Sequence, residues 1–225
     1  MRRPFVLMAG GALLLVLVGW AAGELVTGAF ASLLVDGIDR PAMRWVADHR
    51  NDVLDDAMRA VTHLGDRIVV VVASGATAVS AAVHRSRRWA AFFLTAVLGS
   101  VLLSGTIKQL VDRPRPDVDR LVEIGGLAFP SGHATAAAIC YGSLLVAALT
   151  VRTRPRIAVA VVCGTVAVAV AASRVWLGVH YPTDVVAGST LGSAWVGLAY
   201  LAFLREGNVR PGVYPARAWR RGRVA

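Results

Sequence analysis

Apolar positions along the 225-residue chain gather into six long runs, residues 5–23, 68–83, 89–111, 134–151, 157–177 and 185–204, divided by shorter charged stretches. A bilayer core about 30 Å thick takes about 20 apolar residues of helix to cross. No water is available there to satisfy exposed backbone, so a crossing segment must be helical. The runs therefore predict six transmembrane helices, several at the short end of the usual length. Gly and Ala recur inside them, and small residues let neighbouring helices approach closely. Between the first two runs the pattern changes. Ile38, Met43, Trp45, Val46, Val53, Leu54, Met58, Val61 and Leu64 stand among charges at recurring spacings of three, four and seven. That spacing predicts an amphipathic interfacial helix or helix pair over 38–64, with a solvated linker as the alternative. No internal repeat, low-complexity tract or second soluble domain is visible, so 1–225 reads as a single membrane-embedded domain.

Composition supports this. Hydrophobic residues make up 56% and charged residues 17%, against about 25% charged in ordinary soluble domains. Disorder is excluded, and two cysteines, Cys140 and Cys163, cannot make a disulfide scaffold. The net charge of +10 invites a nucleic-acid reading. Against it, Lys108 is the one lysine, and most arginines stand in short clusters between apolar runs, as a membrane protein spaces its charge.

Those clusters also orient the chain. Residues 1–4, 84–88, 152–156 and 205–225 carry fourteen arginines and one acid, Glu206. Lys/Arg excess in short loops marks the cytoplasmic side. Both termini are therefore expected in the cytoplasm of a bacterial-type plasma membrane, with 24–67, 112–133 and 178–184 on the periplasmic or exterior face. The first run, behind Arg2-Arg3 and ahead of Ala29-Phe30-Ala31, has some features of a secretory signal. It is longer than the usual apolar stretch of one and is expected to be a retained helix. The fold class that follows is all-α: a polytopic bundle of about six transmembrane helices plus an amphipathic extracytoplasmic segment.

Polar residues out of keeping with a lipid-facing helix fall in three clusters, all assigned to the outer face. The first is Lys108-Gln-Leu-Val-Asp-Arg-Pro-Arg115-Pro116, the second Pro130-Ser131-Gly132-His133, and the third runs from Ser173-Arg174 through His180 to Asp184. Ionisable groups at membrane depth point to function. Lys108, Arg115, Arg174 and the Ser131 hydroxyl would make a cage for a compact oxyanion, with Arg supplying planar forks and Lys a point charge. Ser131 is a good helix cap, and Gly132 exposes backbone N–H at a helix start, a ready anion site. His180 and Asp184 are four apart and can share one face if Pro182 opens the next helix, so that Asp184 orients His180 as a nucleophile. His133 is then a second histidine, suited to protonating a leaving oxygen. His49, His63 and His84 lack this setting and read as surface or interfacial.

The pattern K-x6-R-P, P-S-G-H and S-R-x5-H-x3-D resembles the signature of the type 2 phosphatidic acid phosphatase and vanadium haloperoxidase superfamily. Every signature position over 108–184 matches; Arg113-Pro114 is a second Arg-Pro, but its spacing from Lys108 leaves the signature role to Arg115. The resemblance implies a metal-independent, cofactor-free phosphatase. In it the match to His180 forms a phosphohistidine, the match to Asp184 orients it, and the match to His133 protonates the leaving group. The matches to Lys108, Arg115, Ser131, Gly132 and Arg174 bind phosphate oxygens. Haloperoxidases of the superfamily are soluble and mostly larger, so six spans in this chain point to the integral-membrane lipid phosphatases. The expected partners are then a lipid phosphate and the bilayer, not nucleic acid. Phosphatidic acid, phosphatidylglycerophosphate and polyprenyl phosphates or diphosphates such as undecaprenyl diphosphate all fit a cage that reads only phosphate. A non-catalytic transporter or scaffold is the alternative class. It would show inverted repeats or broken paired helices or a lost catalytic residue, and none is seen.

Overall fold

A computed structural model describes residues 2–28, 30–83, 87–150 and 155–205. Every regular element among them is helical. Helix α1 (Arg2–Thr27) is followed by a short turn of helix, α2 (Ala31–Leu34), a π-helical turn (Val35–Asp39), α3 (Arg40–Asp48) and α4 (Asp52–Thr62). Then come a 3-10 turn (His63–Gly65), α5 (Arg67–Val83), α6 (Arg87–Leu110), α7 (Gly132–Thr150), α8 (Arg156–Trp176) and α9 (Pro182–Phe203). Each of the six apolar runs is a helix, within a few residues of its expected ends. Five of them are long and apolar enough to cross a membrane alone. The sixth, α5, has 17 residues and reaches that standard only together with α4, from which it bends by 45° at Asp66. Of the arginines used for orientation, Arg85, Arg152, Arg154 and all those beyond Arg205 lie outside the described residues, as do His84 and Ala29.

Helix α7 lies at the centre, packed against α8 and α9, while α6 joins α5, α7 and α9. Phe92, Phe93, Ile107, Ile139, Leu191 and Trp195 fill the space between them, and the Trp195 indole N–H donates to Thr95 O at 3.0 Å. Helix α1 rests on α9 and α6, but only 6% of its most apolar stretch is buried, so nearly all of its surface is left for lipid. The contact of α7 with α9 fixes the site. A Cβ on Gly188 would stand 2.6 Å from Ser131 O and 2.9 Å from Thr135 Oγ1. Only a residue without a side chain lets the second turn of α9 meet the first turn of α7 this closely.

The stretch 38–64 is the expected helix pair, α3 and α4, and both pack against α8. Asn51 caps α4, its side-chain oxygen accepting from Leu54 N–H at 3.0 Å, with Asp52 and Asp55 in the first turn where the helix dipole favours acid. Asp55 Oδ1 accepts the Trp176 indole N–H at 2.8 Å. Arg50 donates to Asp119 O at 2.5 Å and Trp176 O at 3.2 Å. The segment is thus bolted to the end of α8 and to the 111–131 loop.

Candidate active site

Three chain breaks make the site, each enforced by sequence. Helix α6 stops at Leu110 because Pro114 and Pro116 lack the N–H and the backbone freedom to continue it. Ser131 precedes α7; its hydroxyl faces Ala134 N–H at 3.5 Å, and its own N–H donates to Asp184 O at 3.0 Å. Helix α9 opens with Pro182 at its first turn. Between α8 and α9 the chain turns at Gly178, where φ is +76°, a conformation that favours glycine.

His180 sits in that turn, not on α9, which corrects the expectation that His180 and Asp184 share a helix face. Tyr181 precedes a proline and is held extended, with ψ 154°, so the helix cannot reach back to 180. The two still meet: His180 Nδ1 lies 3.6 Å from Asp184 Oδ2 and has no hydrogen-bond partner. His180 Nε2 lies 3.3 Å from Arg115 Nη1. The imidazole is 2% exposed. Burial pushes its pKa down to about 4, against the pull of Asp184, so the ring is neutral at pH 7.

Lys108, Arg115, Gly132, His133 and His180 line one cavity of about 240 Å³ that continues between α5 and α6 past Val70, Val101 and Ser104. Lys108 Nζ donates to Leu127 O at 2.6 Å. Arg115 fans over the carbonyls of Gly126, Val179 and Gly125 at 2.9, 2.7 and 3.0 Å. Its guanidinium is held below its ordinary range by burial and then by Arg120, with Asp184 opposing. A Cβ on Gly132 would meet nothing within 4 Å, so the start of α7 borders open space at this residue. Ser131, Arg174 and Asp184 do not line the cavity and are buried behind it. Arg174 donates from Nη1 to Thr62 Oγ1 at 2.6 Å, while its buried Nε has no partner. Buried donors are nearly always satisfied, and this one belongs to a group that pairs with oxyanions. The cavity can therefore place a neutral imidazole, a second histidine and a cluster of cations around one small anion.

Sequence reasoning missed the carboxylates and cations that hold these residues. Arg113, set aside in favour of Arg115, is 3% exposed. It pairs with Asp184 Oδ1, donates to Asp39 Oδ2 at 2.6 Å and Thr183 Oγ1 at 2.8 Å, and stacks on the Tyr181 ring at 4.5 Å. Asp184 Oδ2 also accepts Tyr181 N–H at 2.8 Å. Asp39, fully buried, accepts Thr183 N–H at 3.1 Å as well. His133 Nε2 lies 3.0 Å from Asp66 Oδ1, and His63 Nδ1 lies 2.8 Å from Asp66 Oδ2. His63 is exposed as expected, but it is joined to the site through Asp66. Arg113 carried a signal, since an arginine beside a helix end and two prolines is a poor lipid-facing residue. Asp39 and Asp66 carried none, for they are two of eight acids in 24–67.

The PAP2 superfamily model matches residues 89–207. Phosphatidylglycerophosphatase B of Bacillus subtilis is 33% identical over 152 residues, 64% of this chain and 72% of that protein. Decaprenylphosphoryl-5-phosphoribose phosphatase of Mycolicibacterium smegmatis is 37% identical over 134 residues, 58% of this chain and 68% of that one. The crystal structure of the transmembrane PAP2-type phosphatidylglycerolphosphate phosphatase from Bacillus subtilis covers 93% of this chain and all of its own, with a TM-score of 0.66 and 28% identity. Five to six membrane-spanning helices, a buried histidine among cations and these likenesses lead to one assignment: the chain belongs to the PAP2 superfamily, as an integral membrane phosphatase of lipid phosphates.

Proposed function

We propose that the protein hydrolyses the phosphomonoester of an amphiphilic lipid through a phosphohistidine on His180, without a metal ion. The observation that carries the reading is the buried His180, which lines the cavity with its Nε2 3.3 Å from Arg115 Nη1. In the first step His180 Nε2 bonds to phosphorus as the bond from phosphorus to the lipid oxygen breaks. The electron pair leaves with that oxygen, and the proton of His133 goes to it. Asp184 steadies the charge that grows on His180. In the second step water attacks phosphorus, the P–N bond breaks, the water proton passes to His133 and phosphate leaves. Lys108, Arg115 and the N–H at Gly132 bind the phosphate oxygens from the cavity wall, and Ser131 and Arg174, whose buried Nε is without a partner, complete the set from just behind it once phosphate is bound, the work a divalent ion does elsewhere.

The cavity runs down between α5 and α6, so the phosphate sits at the interface with the chains along the bundle. The names of the two relatives each describe a lipid whose head group bears a phosphate beyond a first one, which favours such a terminal monoester over undecaprenyl diphosphate. The arginine clusters in the alternate loops support cytoplasmic termini and a site facing the periplasm or exterior.

Trapping with radiolabelled phosphatidic acid in detergent tests the chemistry. His180→Ala should yield neither turnover nor acid-labile phosphoenzyme. His133→Ala should lose about 10²–10⁴-fold in kcat/KM on a lipid phosphate and less on p-nitrophenyl phosphate, whose leaving group needs no proton. A phosphoenzyme persisting in His180→Ala overturns the reading.

A further inference from the structure

The corner between α4 and α5 lies outside both the three motifs and the region matched by the family model, yet it touches the site at several points. Thr62 accepts from Arg174. Tyr141 of α7 donates its hydroxyl to Leu64 O at 2.9 Å. Gly65 leaves so little room that a Cβ there would stand 3.2 Å from the His133 ring. Asp66 comes next. Its backbone carbonyl accepts Val70 N–H at 3.0 Å, so it stands at the cap position of α5, where an aspartate ordinarily accepts from its own helix. Here both carboxylate oxygens are turned to histidines instead, Oδ1 to His133 and Oδ2 to His63. His133 otherwise has the cations Arg174 and Arg115 near it.

We infer that Asp66 is a positioning residue for the reaction: it orders His133 through Nε2, so that the proton to be donated sits on Nδ1, and it is the carboxylate that lets His133 carry that proton among arginines. His63 fixes the second oxygen of Asp66 from the solvent side. The balance is complete within one turnover. His133 gives the Nδ1 proton to the lipid oxygen as the P–O bond breaks, keeps its Nε2–H on Asp66, and regains a proton from the water that cleaves the phosphohistidine. The inference rests on the proton-donor role of His133 proposed above.

The test compares kcat/KM, which reports cleavage of the ester and not the water step common to both, on short-chain phosphatidic acid and on p-nitrophenyl phosphate in the purified full chain. Asp66→Asn should lose about 10–100-fold on the lipid, part of what a positioned proton donor contributes, and under about threefold on p-nitrophenyl phosphate. Asp66→Glu should restore part of the lipid activity. In a His133→Ala background, Asp66→Asn should cost under about threefold more, because the two act as one unit. Since Asp66 starts a helix, His63→Ala on an exposed side chain provides a second reading, a smaller loss confined to the lipid ester. Equal losses on both esters in Asp66→Asn, or losses that simply add to those of His133→Ala, overturn the inference. A His133→Ala enzyme impaired equally on both esters overturns the donor role itself, and shows it without any Asp66 variant.

Discussion

Arg113→Ala removes the cation that Asp39 and Asp184 share. Both carboxylates are fully buried and Arg113 is 3% exposed, so the cluster is shielded from bulk water. Breaking a buried ion pair by removing one partner costs about 3–5 kcal/mol, because the remaining charge is left uncompensated. Asp184 keeps the Tyr181 N–H, and Asp39 keeps the Thr183 N–H and hydroxyl, which places the expectation at the lower end, about 3 kcal/mol. At about 2–4 °C per kcal/mol for a chain of this size, the unfolding midpoint should fall by about 6–12 °C. Tryptophan fluorescence during heating in detergent reads this, with size exclusion as a check on the starting state. Arg113→Lys should fall between, since a point charge cannot serve two carboxylates and a hydroxyl as a planar fork does. Adding Asp39→Asn to Arg113→Ala should recover about 1 kcal/mol, because one stranded charge is gone. A midpoint within about 2 °C of wild type, or strictly additive losses in the double variant, would refute the claim that Arg113 compensates these carboxylates.

Four other outcomes are expected. Activity on a monophosphate lipid should persist in chelator and be inhibited by vanadate, since cations here neutralise the phosphate oxygens; loss of turnover in chelator, restored by a divalent ion, would contradict this. Glu123→Cys, on an exposed loop residue, should label with an impermeant thiol reagent in intact cells, with little background from Cys140 and Cys163, which are buried; labelling only after lysis would reverse the orientation. Gly188→Val should disrupt the site by pushing α9 off Ser131 and Thr135, with a loss of about 1–3 kcal/mol from overpacking, visible as a lower midpoint and lower kcat. The pH dependence of stability has a definite sign: the unfolded histidine takes a proton near pH 6.5 and folded His180 only near 4, so the unfolded state holds more protons between them. Stability should fall as pH drops through that window, by up to about 3 kcal/mol, and the fall should be shallower in His180→Gln.

The six helices were legible because a membrane imposes length and composition at once, and no competing fold places 20 apolar residues in one run. The amphipathic pair was legible because its apolar positions keep the helical period even among charges. Lys108, Arg115, Gly132, His133 and His180 could be brought to one cavity on paper because each stands at a helix end that prolines or glycines enforce. The reach of α9 could not be read correctly, since the i,i+4 spacing of His180 and Asp184 resembles a helix face while the residue before Pro182 cannot be helical. Local spacing and backbone restriction made opposite demands, and the restriction won.

The carboxylate shell was illegible for a different reason. Asp39 lies 74 residues from Arg113, and Asp66 lies 67 residues from His133. Nothing in the composition of 24–67 separates these two from exposed neighbours such as Asp36 and Asp56, which form local pairs with Arg40 and Arg59. Helical spacing made those local pairs predictable, and they are worth little, about 0.3–0.5 kcal/mol each. The buried Asp39–Arg113 pair and the half-exposed Asp66–His133 pair depend on α3 and α4 folding over α8, a tertiary event that no window of sequence contains. An oxyanion cage needs cations held close together, and close cations repel. Carboxylates placed just behind the cavity offset that repulsion without entering it, where they would repel the phosphate. Asp184 beside His180 and Asp66 beside His133 meet this requirement, with Arg113 and Asp39 holding Asp184 in place, so residues 39–66 are part of the electrostatic surroundings of the site.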